Sequence, residues 1–286
     1  RGRAAVQRPH MMDAPTPAAT PSDAAATAPS FAALGLSAGL VERAAALGWT
    51  VPTAVQSASL PLVKAGGDVL AIAPTGTGKT GAFLLPALDR LLAAPDLDAR
   101  PRRLRLLVLA PTRELAAQTG QAVRSLAPAL RSVVVVGGLS ANPQMMALRG
   151  GAHVLVATPG RLLDLVAQNA VQLGQVQTLV LDEADKLVDL GFADEVGRVI
   201  ALLPPRRQTL MFSATLAAPV QALAATLLRD PARVLLDVAG GEPADADELA
   251  PADDADEGAA GDPAQDDAAP APTAGRADTS AAANAA

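Results

Sequence analysis

Short runs of β-branched and leucine residues alternate along this chain with longer segments that repeat alanine and leucine at helical spacing. Between Phe31 and Val238 the runs fall at 69–73, 104–110, 132–136, 153–157, 178–181, 208–212 and 233–236. Most are apolar throughout, without the in-out alternation of a strand that is wet on one face, as in parallel strands covered by helices on both sides. The pattern predicts a doubly wound α/β domain, a parallel β-sheet with helices on both faces, over residues 30–239. In such sheets ligands bind beyond the carboxyl ends of the strands, so the residues following each run are where chemistry is expected. No repeat of 20–50 residues is visible.

Composition adds boundaries. Half of the 286 residues are apolar, enough for one full core. Residues 1–29 and 240–286 are dominated by Ala, Pro, Asp and Thr, too poor in large apolar side chains to offset the entropy of ordering, and are expected to be disordered. The chain opens on Arg1, which makes Met11 and Met12 candidate starts. Cysteine is absent, which excludes disulfides and thiolate metal sites. No stretch approaches the roughly 18 consecutive apolar residues of a membrane span, and the N-terminus lacks the apolar core of a signal peptide, so the expected location is cytoplasmic, with no membrane partner.

Charge is unevenly distributed. Residues 240–286 hold 12 acidic side chains and one basic, Arg276; subtracting these from chain totals of 29 and 23 leaves 17 acidic and 22 basic before Gly240, a net of +5. The acidic stretch reads as a solvated tail or as a competitor with nucleic acid for a basic surface.

The chemistry begins after the first run. Ala73, Pro74, Thr75, Gly76, Thr77, Gly78, Lys79 and Thr80 match G-x-x-x-x-G-K-[ST] with the first glycine relaxed to Ala73, and a helix over 81–92 follows. Glycines let backbone N–H groups converge on phosphate oxygens at a helix start, Lys79 adds a point charge, and the Thr80 hydroxyl can ligate Mg²⁺. Asp182 and Glu183 emerge from the run at 178–181, where one carboxylate can hold Mg²⁺ and the next can position or deprotonate a water. Upstream, Gln56 lies 25 residues after Phe31. An amide can pair with the adenine edge and an aromatic ring can stack on its face. Taken alone, Gln56 reads as an exposed polar residue early in a helix.

Assembled in order, these stretches resemble the first RecA-like domain of a DEAD-box RNA helicase. They are Phe31 with 48–56, the phosphate loop 73–80, PTRELA at 111–116, Gly137–Gly138, TPGR at 158–161, DEAD at 182–185 and SAT at 213–215. Residues 142–151 and 168–171 resemble the bacterial RhlE-type subgroup. Trp49 stands where that family usually has Phe or Tyr, and Thr77 replaces a common Ser.

The resemblance implies ATP and Mg²⁺ as cofactors. Phe31 and Gln56 would take adenine, the loop Ala73 to Thr80 the phosphates, Thr80 and Asp182 the metal. Lys79, Asp182 and Glu183 would serve hydrolysis, with Ser213 and Thr215 hydrogen-bonded to the DEAD segment. RNA would be held by its backbone at Pro111, Thr112, Arg113, Gly137, Gly138, Thr158, Pro159, Gly160 and Arg161. Thr112 and Thr158 read as helix N-caps and Pro159 as a first helical residue, leaving N–H groups for phosphates. Such grip is independent of base sequence and sensitive to salt. With no tyrosine and four phenylalanines, base stacking is expected to contribute little.

Members of that family carry a second RecA-like domain whose arginines complete the ATP site, and residues 239–286 hold no histidine-arginine-glycine signature of it. The chain is therefore expected to be truncated and weakly active alone, since arginine fingers contribute roughly 10³–10⁵ in rate. Other RNA-processing proteins are expected as partners; the alternatives are a non-catalytic module binding nucleotide and RNA, or an interaction fragment, and a P-loop translocase acting on DNA.

Overall fold

The computed structural model describes residues 29–236 apart from 98 and 101. The expectations for the two tails and for the start residue lie outside the described residues. Seven strands form one parallel sheet: β1 (Val69–Ile72), β2 (Leu106–Leu109), β3 (Ser132–Val135), β4 (Val154–Ala157), β5 (Thr178–Leu181), β6 (Gln208–Ser213) and β7 (Ala232–Leu235). Their order across the sheet is β3-β4-β2-β5-β6-β1-β7. Register runs from Val69 opposite Leu210 and from Leu106 opposite both Val154 and Thr178, so the C-terminal ends line up along one edge.

Nine helices among the described residues are α1 (Ala38–Ala46), α2 (Ala54–Ala65), α3 (Lys79–Leu92), α4 (Arg113–Leu126), α5 (Ala141–Leu148), α6 (Pro159–Ala167), α7 (Ala184–Asp189), α8 (Ala193–Ala201) and α9 (Ala218–Leu227). Two cores form. One joins Leu40, Leu60, Phe83 and Val123 from α1 to α4 to the sheet, with the Phe83 and Phe212 rings 5.2 Å apart. The other joins Leu148, Leu162, Leu187, Val196 and Leu227 from α5, α6, α7, α8 and α9 to the opposite face. Burial on both faces explains why β2, β4, β5 and β6 carry no polar alternation, whereas edge strand β3 alternates half-buried with buried residues. Among the described residues no helix is long and apolar enough to cross a membrane.

Two local features fix the sheet to its helices. Asp68, just before β1, accepts from Thr209 N at 2.6 Å and Arg229 N at 2.9 Å, tying β1 to β6 and to the turn before β7. Gly120 on α4 faces β3 so closely that a Cβ would lie 2.2 Å from Val134 Cγ2.

Candidate nucleotide and RNA sites

The segments after β1 and β5 meet in a cleft of about 430 Å³, lined in part by Trp49, Gln56, Gly76, Lys79, Thr80, Asp182 and Glu183. Gly76 and Gly78 adopt left-handed backbone, φ +81° and +96°, which bends the chain from strand into helix without a Cβ penalty. The helix begins at Lys79, two residues earlier than its sequence pattern suggests, because the turn completes at Gly78. Its first N–H groups point into the cleft with the positive end of the helix dipole. Lys79 is buried, and its Nζ donates to Ala73 O at 2.6 Å; two ammonium protons remain for an anion. Burial lowers its pKa, opposed by Asp185, Asp182 and Glu183. Ala73 is fully buried and contributes its carbonyl, while Thr77 ties the loop to itself through Pro74 O at 2.7 Å.

Gln56 is buried at 4% exposure, which corrects its reading as an exposed polar residue. Thr53 N donates to its Oε1 at 3.0 Å, one arm of a capping box at the start of α2, and its Nε2 donates to Gly78 O at 3.0 Å. The amide is thereby held on the phosphate loop with one N–H and one lone pair still unused. A Cβ on Gly81 would lie 2.5 Å from that nitrogen and 3.3 Å from Trp49 Cζ3, so the glycine admits both side chains.

Phe31 is corrected in the other direction. It is 2% exposed and packs in the first core, away from the cleft lining. A ring gains more from complete burial than from lining a wet cleft. The aromatic residue that does line the cleft is Trp49, which sequence reasoning had treated only as a variation on a family position. Its place four residues before Thr53, the N-cap of α2, was the available signal.

Asp182 is 2% exposed and its Oδ2 has no hydrogen-bond partner. Desolvation, followed by the Glu183 charge, raises its pKa from 3.8 to about 7. Glu183 has left-handed backbone, φ 50° and ψ 58°, rare for this residue type and a store of strain at the N-terminus of α7. Lys186 Nζ reaches Glu183 Oε2 at 2.8 Å, and that hydrogen bond raises the Lys186 pKa. Among the described residues no three His, Cys, Asp or Glu side chains cluster as a metal cage. The donors fit magnesium in another way: an orphaned buried carboxylate oxygen and the Thr80 hydroxyl line one cleft, suited to a metal that binds few protein ligands and completes its shell with phosphate and water.

Ser213 ends β6, which lies between β1 and β5 in the sheet. Its Oγ accepts from Asp185 N at 3.2 Å, and Ala214 N donates to Asp185 Oδ2 at 3.2 Å. Thr215 does not reach the DEAD segment; its N–H donates to Ser213 Oγ at 3.4 Å. The two-residue spacing turns Thr215 past the contact that the preceding backbone N–H makes.

A second cleft of about 350 Å³ gathers Pro111, Thr112, Arg113, Gly137, Gly138, Thr158, Gly160 and Arg161 from the ends of β2, β3 and β4. Thr112 caps α4, accepting from Leu115 N at 3.2 Å. Thr158 occupies the N-cap position of α6, but its hydroxyl accepts from Gly137 N at 3.2 Å and not from its own helix. The glycine turn therefore takes the hydroxyl, and the first N–H groups of α6 stay unbonded by it. Pro159 is the first residue of α6 and is buried behind the cleft surface. Gly138 has φ +72°, and a Cβ there would lie 2.9 Å from Arg113 Nη1. Arg161 is mostly buried with Nη1 unpartnered, its Nε 3.7 Å from Asp164. Two residues missed in the sequence belong here: Phe192 in the lining, and buried Gln144, whose amide clamps Val136 N and O at 2.9 and 3.1 Å and holds the glycine turn.

Residues 53–223 match the DEAD/DEAH box helicase family. The chain is 44% identical over 212 residues to probable ATP-dependent RNA helicase ddx27 of Dictyostelium discoideum, covering 73% of this chain and 27% of that protein. It is 41% identical over 207 residues to RNA helicase CrhR of Synechocystis sp., covering 72% and 41%. The structure of the yeast DEAD-box splicing factor Prp28 superposes with a TM-score of 0.64 at 34% identity, over 68% of this chain and 47% of that one. This chain thus spans less than half the length of these proteins. With the fold RecA-like and the matched segment holding the phosphate loop, the DEAD turn and the second cleft, the chain belongs to the DEAD/DEAH box helicase family.

Proposed function

We propose that this chain is the ATP-binding and RNA-gripping part of an ATP-dependent RNA helicase. The observation that carries the reading is the pairing of two clefts on one sheet edge, a phosphate loop facing Asp182 and Glu183 in one and helix N-termini with two arginines in the other. In this reading Gln56 offers its remaining N–H and lone pair to adenine while Trp49 supplies a ring face. The N-terminus of α3 and Lys79 receive the phosphates. Thr80 and Asp182 would hold magnesium, which when bound neutralises charge on the phosphates. Glu183 orients the attacking water and accepts its proton at a carboxylate oxygen. RNA lies along Thr112, Gly138 and Thr158, touching N–H groups and Arg113, with sugar and phosphate contacted and no base read.

The reading includes a bacterial RhlE-type placement, supported by residues 142–151 and 168–171, a cytoplasmic setting, which the cysteine-free composition suits, and other RNA-processing proteins as partners, by resemblance to the family. The test is RNA-stimulated phosphate release by the full chain against Glu183→Gln. Release that RNA raises, and that the variant loses, is expected. Equal rates in the two would discard hydrolysis and leave a binding module.

A further inference from the structure

A second arginine-rich surface lies at the opposite end of the sheet. Two adjoining grooves, about 660 and 640 Å³, run past the N-terminal ends of β2, β4, β5 and β6 and share Arg103, Gly174 and Gln175. Their described lining holds Arg90, Arg103, Arg105 and Arg206 with the carboxylate of Asp96, and Arg100 and Arg102 line the first groove. The nucleotide and RNA clefts sit at the C-terminal strand ends. Four-residue strands rise about 13 Å, which separates the two ends of the sheet.

Not all six charges face outward. Arg90 donates to Thr178 and Gln208, and Arg105 is mostly buried on Asp96. Asp96 is thereby largely satisfied, and Arg103, 3.6 Å from it, keeps 56% of its side chain exposed. Arg206 is exposed, with no described carboxylate in ion-pairing reach. The segment bearing Arg100 to Arg105 is fastened in place: Arg102 N donates to Gly150 O at 3.3 Å, Arg105 N to His153 O at 3.0 Å, and His153 Nε2 to Leu97 O at 3.0 Å. Gly151 allows this approach, because a Cβ there would lie 2.2 Å from Arg102 O. Asn169, Gln172 and Gln175 add amide donors along the groove, and no aromatic ring lines either part.

The exposed side chains of Arg103 and Arg206, flanked by amides and with no aromatic ring in the described lining, match phosphate and sugar oxygens and not bases. We propose that this face is a second binding surface for the RNA backbone, separate from the cleft at Thr112 and Arg161. The ligand's identity rests on the RNA reading above; the surface is new to it.

The test titrates the full chain with labelled single-stranded RNA of about 20 nucleotides, longer than the 4–16 that one single-strand binding fold commonly covers, between 50 and 200 mM salt. Arg103→Gln with Arg206→Gln should make the salt slope shallower by about 1.4, two contacts at roughly 0.7 each, or about sevenfold in affinity across that range. Arg103→Lys with Arg206→Lys keeps the charges and should restore most of the slope, which separates charge from folding. If the Gln pair binds RNA as the wild type does while Arg113→Gln weakens binding, the proposal fails and the cleft reading stands. If neither the wild type nor the variants bind RNA, both fail. A synthetic peptide of residues 242–267 that binds the wild type, loses binding in the Gln pair and leaves that pair's RNA affinity unchanged would assign the face to acidic peptide and overturn the proposal.

Discussion

Replacing Asp182 by Asn should stabilise the protein at pH 8 while damaging its nucleotide site. The carboxyl is 2% exposed, its Oδ2 is unpartnered, and burial raises its pKa from 3.8 to about 7. Because the folded value lies above the unfolded one, the fold favours the neutral acid. Stability is full below about pH 4 and falls as pH rises through the window from 3.8 to about 7. Three units at about 1.36 kcal/mol each make the cost about 4 kcal/mol at pH 8, and less than half of that at pH 5. Asn carries no charge at either pH, but its amide is left unpaired where the carboxylate oxygen was, at a cost of about 1–2 kcal/mol. The net gain is about 2–3 kcal/mol at pH 8 and close to zero at pH 5. For a domain of this size that is roughly 5–10 °C in Tm. Thermal unfolding of both proteins, in buffers without nucleotide or divalent metal, reads the difference directly. A variant melting at or below the wild type at pH 8, or one whose advantage is the same at pH 5, would refute the reasoning. With nucleotide and magnesium added, the wild type should overtake the variant.

Other perturbations probe separate contacts. Gly81→Ala puts a Cβ 2.5 Å from Gln56 Nε2 and should displace the amide from Gly78 O, weakening ATP binding about tenfold with Tm nearly unchanged, as a fluorescent-nucleotide titration would read. Asp68→Ala strands Thr209 N and Arg229 N and should cost about 2–4 kcal/mol in urea unfolding. His153 accepts from Arg131 N through Nδ1 and has its pKa lowered, first by desolvation, so stability is full above its unfolded value near 6.5 and is lost as pH falls below it; His153→Gln should flatten the change in urea midpoint between pH 7.5 and 5.5.

The strands were legible because burial on both faces leaves a simple signature: uninterrupted Leu and Val from Leu106 to Leu109 and from Leu179 to Leu181 can be little else. The phosphate loop and DEAD segment were equally plain, since their residues are adjacent in sequence and their spacing carries the geometry. What failed to show was anything decided by packing between distant segments. Phe31 and Trp49 are both aromatic and both precede Gln56, and only the closure of the first core decides which is buried and which lines the cleft. Gln144 carries no signal of its own in the sequence, and its clamp on Val136 exists because α5 folds back over the end of β3. The arginines of 100–105 carry no motif in the sequence, and only the fold brings Arg103 and Arg105 into one groove with Arg206.

Strand order explains why the end of β6 matters. The phosphate loop follows β1 and the acidic pair follows β5, and these strands are not neighbours; β6 lies between them. Ala73 N donates to Ser213 O at 3.1 Å, Ser213 Oγ accepts from Asp185 N, and Asp185 Oδ2 accepts from Ala214 N. One short buried segment thus joins the start of the phosphate loop to the DEAD turn through directional bonds. Any displacement of α7 relative to α3 must strain those bonds or carry β6 with it. A packed parallel sheet resists sliding between strands, so the softer response is rotation of the turn at Glu183, which already has unfavourable backbone geometry. The phosphate loop and the DEAD turn are therefore tied through Ser213, and the strain at Glu183 marks where the tie can yield.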